Sequence, residues 1–260
     1  LLLQVKNFIG AKQLFEKAIK ILPTYAASYH YLGQILQELG DNHKAVHYFQ
    51  KAIAIQPNLV AAHNNLGLIQ IELGKKDEAM RSFQKAIKIK PNLKEAHNNL
   101  GTVCMTMKKR KAAIKCFKKA IQINNKFSMA HYNLGKVFKE LENYSAAIKC
   151  FETANTNRSR AEILESTYFS NDLKTYHKTL KKLSKKDPLN LRVATMASYV
   201  SKRENIKNTY PFCRNPLDHV FTKNLKNEIN LPDKFSENLS KILKQVDFIW
   251  QPATKSTIRG

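Results

Sequence analysis
Three observations on this 260-residue chain predict a mainly α protein built as a stack of helix pairs. Leu-Gly pairs recur at Leu32-Gly33, Leu66-Gly67, Leu100-Gly101 and Leu134-Gly135, 34 residues apart each time. An Ala-x3-Phe-x2-Ala pattern recurs in step, at Ala45/Phe49/Ala52, Ala79/Phe83/Ala86, Ala113/Phe117/Ala120 and Ala147/Phe151/Ala154. Pro23, Pro57 and Pro91 keep the same period. A period of this length marks a solenoid, in which each unit is one supersecondary element that buries its apolar face only against its neighbours.

Residues 1–25 carry only the latter part of a unit, with Ala11, Phe15, Ala18 and Pro23 in register. A partial unit leaves an apolar face uncovered, so the chain is expected to be a fragment that begins inside a repeat. Whole units follow at 26–59, 60–93, 94–127 and 128–161. In each, the first helix carries Leu-Gly and the second Ala-x3-Phe-x2-Ala. The small residues belong where two backbones approach, and Phe fills the gap between units. Pro stops the second helix because it lacks an N–H and clashes with the preceding turn. Gly40 and Gly74 are expected to close first helices as C-caps. Six of the eight glycines fall at these two repeat positions, and no GxGxxG or GxxxxGK[ST] phosphate loop is present.

Beyond Ala161 the register is lost. Residues 162–169, 172–184 and 189–201 read as helices, with capping residues at Ser170-Asn171-Asp172 and a break at Asp187-Pro188. The stretch 162–208 is expected to cover the open face of the last unit. From residue 209 the character changes. Pro211 and Pro216 lie in a turn-rich loop, an apolar-alternating stretch runs from Leu217 to Phe221, and Pro232 opens a helix over 233–246. Asp247–Trp250 reads as entering a strand. Residues 209–260 are therefore read as the incomplete start of an α/β segment.

The hydrophobic fraction, 43%, is that of a globular protein rather than a disordered one. No apolar run approaches the ~18 residues of a membrane span, so no membrane partner is expected. The opening LLLQVKNFIG has no Met and no basic region ahead of an apolar core, unlike a signal peptide. Four cysteines (104, 116, 150 and 213) show no CxxC spacing, which indicates neither a zinc site nor a disulfide framework. A reducing compartment, the cytoplasm, is the expected location. The net charge of +24 and pI near 9.9 invite a nucleic-acid partner. The basic residues are 36 Lys and only 8 Arg, however, and phosphate and base recognition favours the planar Arg fork. The joint excess of Lys, Asn and Ile is what an AT-rich genome produces, so nucleic acid is not the expected partner.

The 34-residue pattern over residues 1–161 resembles the tetratricopeptide repeat (TPR). That resemblance implies a right-handed superhelix whose first helices line a concave groove, through the second, fifth, sixth, ninth, twelfth and thirteenth positions of each unit. The sixth position reads Tyr31, Asn65, Asn99 and Asn133. Three amides at equal spacing form a ladder similar to that of the O-linked N-acetylglucosamine transferase repeats. Each has donors and an acceptor for an extended peptide backbone; the alternative is that Asn-Leu-Gly is simply a common form of the motif. Lys136 and Lys139, at the ninth and twelfth positions, would point into the groove and favour an acidic segment of a bound protein or peptide. The family's carboxylate clamp for acidic C-terminal tails is not matched, since the corresponding positions hold His30 and Gln34, Asn64 and Leu68, or Glu95 and Asn99.

His63, His97 and His131 also recur at the period. Units are displaced by roughly ~10 Å, a helix diameter, too far for ligands that must converge to about 2 Å from one metal. They read as packing residues. Unit 94–127 is the most basic, with nine Lys or Arg and one acid, Glu95. Its run Lys108, Lys109, Arg110 and Lys111 is a basic patch at the turn between helices, either a contact for phosphate or acidic protein or a solvated edge. Cys116 and Cys150 occupy the same repeat position and read as small interior residues.

The runs Thr209–Asp218 (TYPFCRNPLD) and Ile249–Thr257 (IWQPATKST) resemble the opening of a 2-oxoglutarate/iron(II) oxygenase domain of the kind that follows TPR units in marine bacterial proteins. The resemblance implies that the repeats recruit a protein or peptide substrate for hydroxylation in a longer parent, with Fe(II) and 2-oxoglutarate as the parent's cofactors. Such iron sites need two His and a carboxylate. After residue 161 only His177 and His219 occur, neither followed two residues on by an acid. No catalytic or metal-ligating residue is therefore assigned in this chain. The alternatives are the repeat region of a protein O-glycosyltransferase or sulfotransferase, and a non-catalytic adaptor.

Overall fold
The structure is a computed structural model and describes residues 2–210 apart from 188, 206 and 209. Every regular element among them is an α-helix. The described residues divide into two compact units, with the boundary after Asp172. The first holds α1 (Leu2–Ile21), α2 (Ala26–Glu38), α3 (Asn42–Ile55), α4 (Val60–Glu72), α5 (Lys76–Ile89), α6 (Lys94–Thr106), α7 (Arg110–Ile123), α8 (Ser128–Glu140), α9 (Tyr144–Ala154) and α10 (Asn157–Phe169). The second holds α11 (Leu173–Lys186) and α12 (Leu191–Arg203).

Helices α2/α3, α4/α5, α6/α7 and α8/α9 pack as pairs, one within each of the ranges 26–59, 60–93, 94–127 and 128–161. The phenylalanines Phe49, Phe83, Phe117 and Phe151 are completely buried, and so are the alanines four residues before each. Complete burial of one such ring stabilises by about 2–3 kcal/mol. Each ring lies against the glycine of its own unit's first helix. A Cβ on Gly33, Gly67, Gly101 or Gly135 would sit 2.6–2.8 Å from the facing Cε1, so no side chain fits there.

First helices end in one conserved geometry within the chain. Gly40 and Gly74 adopt φ of 83° and 76°, as the C-cap reading requires. The following N–H closes a six-to-one bond back into the helix, Asp41 to the Leu36 carbonyl at 2.8 Å and Lys75 to that of Gln70 at 2.7 Å. Units three and four keep this turn without glycine: Lys108 and Glu142 both take φ of 58°. Second helices end at Ile55, Ile89 and Ile123 alike, although only the first two are followed by proline. Helix termination therefore does not depend on Pro here.

First helices also pack on each other along the stack, α2 on α4, α4 on α6 and α6 on α8. First helices approach one another more closely than successive second helices do, so the first helices form the inner side of this unit.

Two boundaries differ from the sequence reading. α1 is 20 residues long and starts ahead of the register of the other second helices. α10 starts at Asn157, inside the predicted unit 128–161, rather than at 162. The cause is local. Asn155 is left-handed (φ 46°) and ends α9 early, and Thr156 forms a capping box with Ser159 that starts α10 at once. The four-residue loop of the other units is cut to two. α10 covers α9, with Ile163 against Ala147 and Phe151.

In the second unit α11 buries Tyr176, Leu180 and Leu183. Asn190 caps α12 by accepting from the Arg192 and Val193 N–H groups. The buried Tyr210 donates its hydroxyl to the Asp187 carbonyl. α10 belongs to the first unit and packs on α9, while α11 and α12 belong to the second. The partial α/β segment predicted at 209–260 and the oxygenase resemblance within it lie outside the described residues, apart from Tyr210.

Candidate functional site
The inner side carries the predicted groove residues, and the structure shows what each is bonded to. Asn65, Asn99 and Asn133 form a ladder, but its rungs run between units. Asn65 Nδ2 donates to His30 Nε2 at 3.1 Å, Asn99 Nδ2 to Asn64 Oδ1 at 3.2 Å and Asn133 Nδ2 to Asn98 Oδ1 at 2.9 Å. Each sixth-position amide reaches the fifth-position side chain of the preceding unit. Each amide carries a second N–H that these inter-unit bonds do not use. Burial disfavours the charged imidazole and lowers the His30 pKa, in keeping with a neutral ring that accepts from Asn65.

The shortened α9–α10 loop continues the ladder. The Tyr132 hydroxyl donates to Glu162 Oε1 at 3.1 Å, so Glu162 stands where an Asn would have been. Tyr31, at the other end, is about half exposed and stacks on Phe15 with centroids 5.4 Å apart.

Lys136 is exposed, whereas Lys139 is engaged. Its Nζ donates to Glu162 and Glu165, both at 2.7 Å. The Lys139 side chain is 20% exposed and those of Glu162 and Glu165 are 5% and 10% exposed. Burial works against the Lys139 charge, but attraction to the two carboxylates outweighs it and raises the Lys139 pKa. For Glu165 burial dominates and raises the pKa despite Lys139, because one ammonium is shared with Glu162, itself a like charge. With two carboxylates on one ammonium, this end of the inner face is not a net cation. Lys136 is the exposed basic residue there.

The histidines act in packing between units. Nε2–H of His63 donates to the Pro57 carbonyl at 2.9 Å, that of His97 to Pro91 at 2.8 Å and that of His131 to Asn125 at 2.8 Å. Each ties a first helix to the loop before it, and the third shows that the acceptor needs no proline. Among the described residues no group of three or more His, Cys, Asp and Glu is placed to hold a metal. His177 is exposed on α11.

The basic run is divided. Lys108 occupies the left-handed turn and Lys109 the N-cap of α7, while Arg110 pairs with Glu140 at 3.3 Å. Lys108, Lys109 and Lys111 are exposed. Nearby, Cys116 hydrogen-bonds Cys104, which brings the Cys104 thiol down to about 7 and pushes that of Cys116 up.

Sequence reasoning missed the partners: His30, Asn64 and Asn98 at the fifth position, and Glu162 and Glu165. The doublets Asn64-Asn65 and Asn98-Asn99 signal the first group. Nothing local signals the second, because the five-residue register change hides it.

No helix among the described residues is long and apolar enough to cross a membrane. Family models described as tetratricopeptide repeat match residues 25–92, 95–127 and 130–158, half of the chain between them. No curated protein matches. Solved structures similar to this one include a tetratricopeptide repeat protein from Parabacteroides merdae (14% identity, 93% of this chain and 94% of that one, TM-score 0.66). PilW, a type IV pilus biogenesis factor, is similar at 19% identity over 74% of this chain and 92% of its own, with a TM-score of 0.65. YrrB, described as a TPR protein with an unusual peptide-binding site, is similar at 17% identity over 70% and 96%, with a TM-score of 0.56. Likenesses at these identities speak for the fold.

Proposed function
The chain belongs to the tetratricopeptide-repeat family, and from that premise we propose that its inner face holds an extended protein or peptide segment. The observation that carries this reading is the inter-unit amide ladder. It fixes Asn65, Asn99 and Asn133 in repeating orientations and leaves one N–H of each for a peptide carbonyl. Amides held by neighbours lose little freedom on binding, which favours affinity. Lys136 adds a single cation beside them. On this reading the scaffold acts by binding. Recruitment of a substrate for an iron(II)/2-oxoglutarate oxygenase rests on the sequence resemblance within 209–257 alone.

The test is a selection from a displayed random-peptide library against the whole chain, followed by affinity measurement on the enriched peptides. Ala61→Arg and Lys136→Glu change exposed residues at the second and ninth positions of first helices. Together they are expected to weaken the selected peptides by about tenfold or more. Unchanged affinity in a variant that keeps its helical circular dichroism removes the inner face as the binding site.

A further inference from the structure
The outer side of the third unit carries a feature that the inner-face reading does not use. A cleft of about 930 Å³ opens between α5 and α7, with α6 beneath. Ile87, Leu100 and Ile114 supply its apolar lining. Lys111, Lys115 and Lys118 of α7 stand on its rim, all exposed. The helix Arg110–Ile123 contains no acidic residue. Among the described residues, Lys111, Lys115 and Lys118 have no carboxylate within ion-pair distance, in contrast to Lys139 with its two. Three like charges along one helix face repel each other, and no carboxylate among the described residues pairs with them. An apolar cleft ringed by one sign of charge is complementary to a segment of the opposite sign that carries an apolar side chain.

We propose that this cleft is a second docking surface, for an acidic segment of a partner protein that places a large aliphatic or aromatic side chain between α5 and α7. The apolar anchor desolvates Ile87, Leu100 and Ile114. Flanking Asp or Glu residues of the partner pair with Lys111, Lys115 and Lys118. Apolar burial supplies most of the affinity and the lysines select the sign of the partner, because exposed ion pairs are individually weak. Nucleic acid would use the lysines and leave the apolar lining unused. The charged rim lies on a second helix, α7, and the lining includes none of Tyr31, Asn65, Asn99, Asn133, Lys136 and Lys139, so both sites could be occupied together.

The probe is a short fluorescein-labelled peptide of Asp and Glu with a central Leu and Phe, titrated with the whole chain and followed by anisotropy. A control peptide has Ser in place of Leu and Phe. The Ser peptide is expected to bind at least about fivefold more weakly, and Lys115→Glu with Lys118→Glu to cost about tenfold or more. The same charge change made on α1, by Lys17→Glu with Lys20→Glu, is expected to cost less than about twofold, as is Lys136→Glu on the inner face. All substituted residues are exposed, so folding is retained and is checked by circular dichroism. Equal losses from the two charge-reversed pairs, or equal binding of the Ser peptide, reduce the effect to long-range charge and overturn the proposal. Absence of measurable binding overturns it, and so does loss confined to Lys136→Glu, which moves the peptide to the inner face. Displacement of the peptide by oligothymidylate of matched charge overturns it in favour of a nucleic-acid surface.

Discussion

Lys139 Nζ lies 2.7 Å from Glu162 Oε2, a contact between α8 and α10 that spans the point where the repeat register breaks. Glu165 completes the cluster from the next turn of α10, also at 2.7 Å. The cation that sequence position assigns to a ligand is held by the chain's own carboxylates.

Removal of Lys139 leaves two buried carboxylates facing each other. Lys139→Met is expected to destabilise the fold by roughly 2–4 kcal/mol near neutral pH, since breaking a buried pair strands the remaining charge. The sign with pH follows from the raised Glu165 pKa. A carboxyl that binds its proton more tightly when folded contributes stability below its unfolded pKa and loses it as pH rises through the folded one. The deficit of Lys139→Met should therefore shrink on acidification. Urea titrations at several pH values read this, and a deficit that grows toward low pH contradicts the assignment.

Gly101 and Phe117 share a space with no room for a methyl group, the virtual Cβ standing 2.6 Å from the ring. Gly101→Ala gains about 1 kcal/mol of helix propensity but overpacks a buried site. A net loss of about 1–3 kcal/mol is expected in thermal unfolding. Phe117→Leu in the same chain should recover at least part of it, relative to the sum of the single changes. Additive losses would show that the two residues do not meet.

His30 gives the first rung of the ladder its own pH dependence. Its pKa is lowered by burial, so the unfolded chain takes up a proton before the folded one does. Stability should fall as pH is lowered from about 7 to 5. His30→Asn places at the first rung the residue found at 64 and 98, and should flatten that slope. An unchanged slope in the variant would assign the dependence to other groups.

The turns after α6 and α8 hold Lys108 and Glu142 in a conformation that L-residues adopt at a cost of roughly 1 kcal/mol. Lys108→Gly should raise the melting temperature. Lys109→Asp should add to it by about 1 kcal/mol, because Asp41 at the equivalent N-cap accepts from the Lys44 N–H and Lys109 makes no such bond. Calorimetry of the two single variants and the pair checks both terms. A lower melting temperature for Lys108→Gly would show that the glycine turn is not what limits this unit.

Periodic features were legible in the residues themselves. The four helix pairs, the buried phenylalanines, the glycines against them and the capping turns at Gly40 and Gly74 all follow from side-chain size and backbone freedom at fixed spacing. These are local requirements, repeated once per unit, and a local requirement leaves its mark in composition. The packing role of His63, His97 and His131 was legible for the same reason.

Tertiary structure alone decided where the polar groups spend their hydrogen bonds. Asn65, Asn99 and Asn133 recur visibly, but that each reaches back to the preceding unit depends on how two first helices stack. The capture of Lys139 depends on Asn155 turning left-handed and on Thr156 starting α10 early, which brings Glu162 into a place the 34-residue period does not assign to it. The cleft between α5 and α7 exists only because first helices pack closely and second helices diverge. Hydrogen bonds and charge pairs between units are set by distances of a few ångströms across the stack, and those distances are a property of the packed helices together.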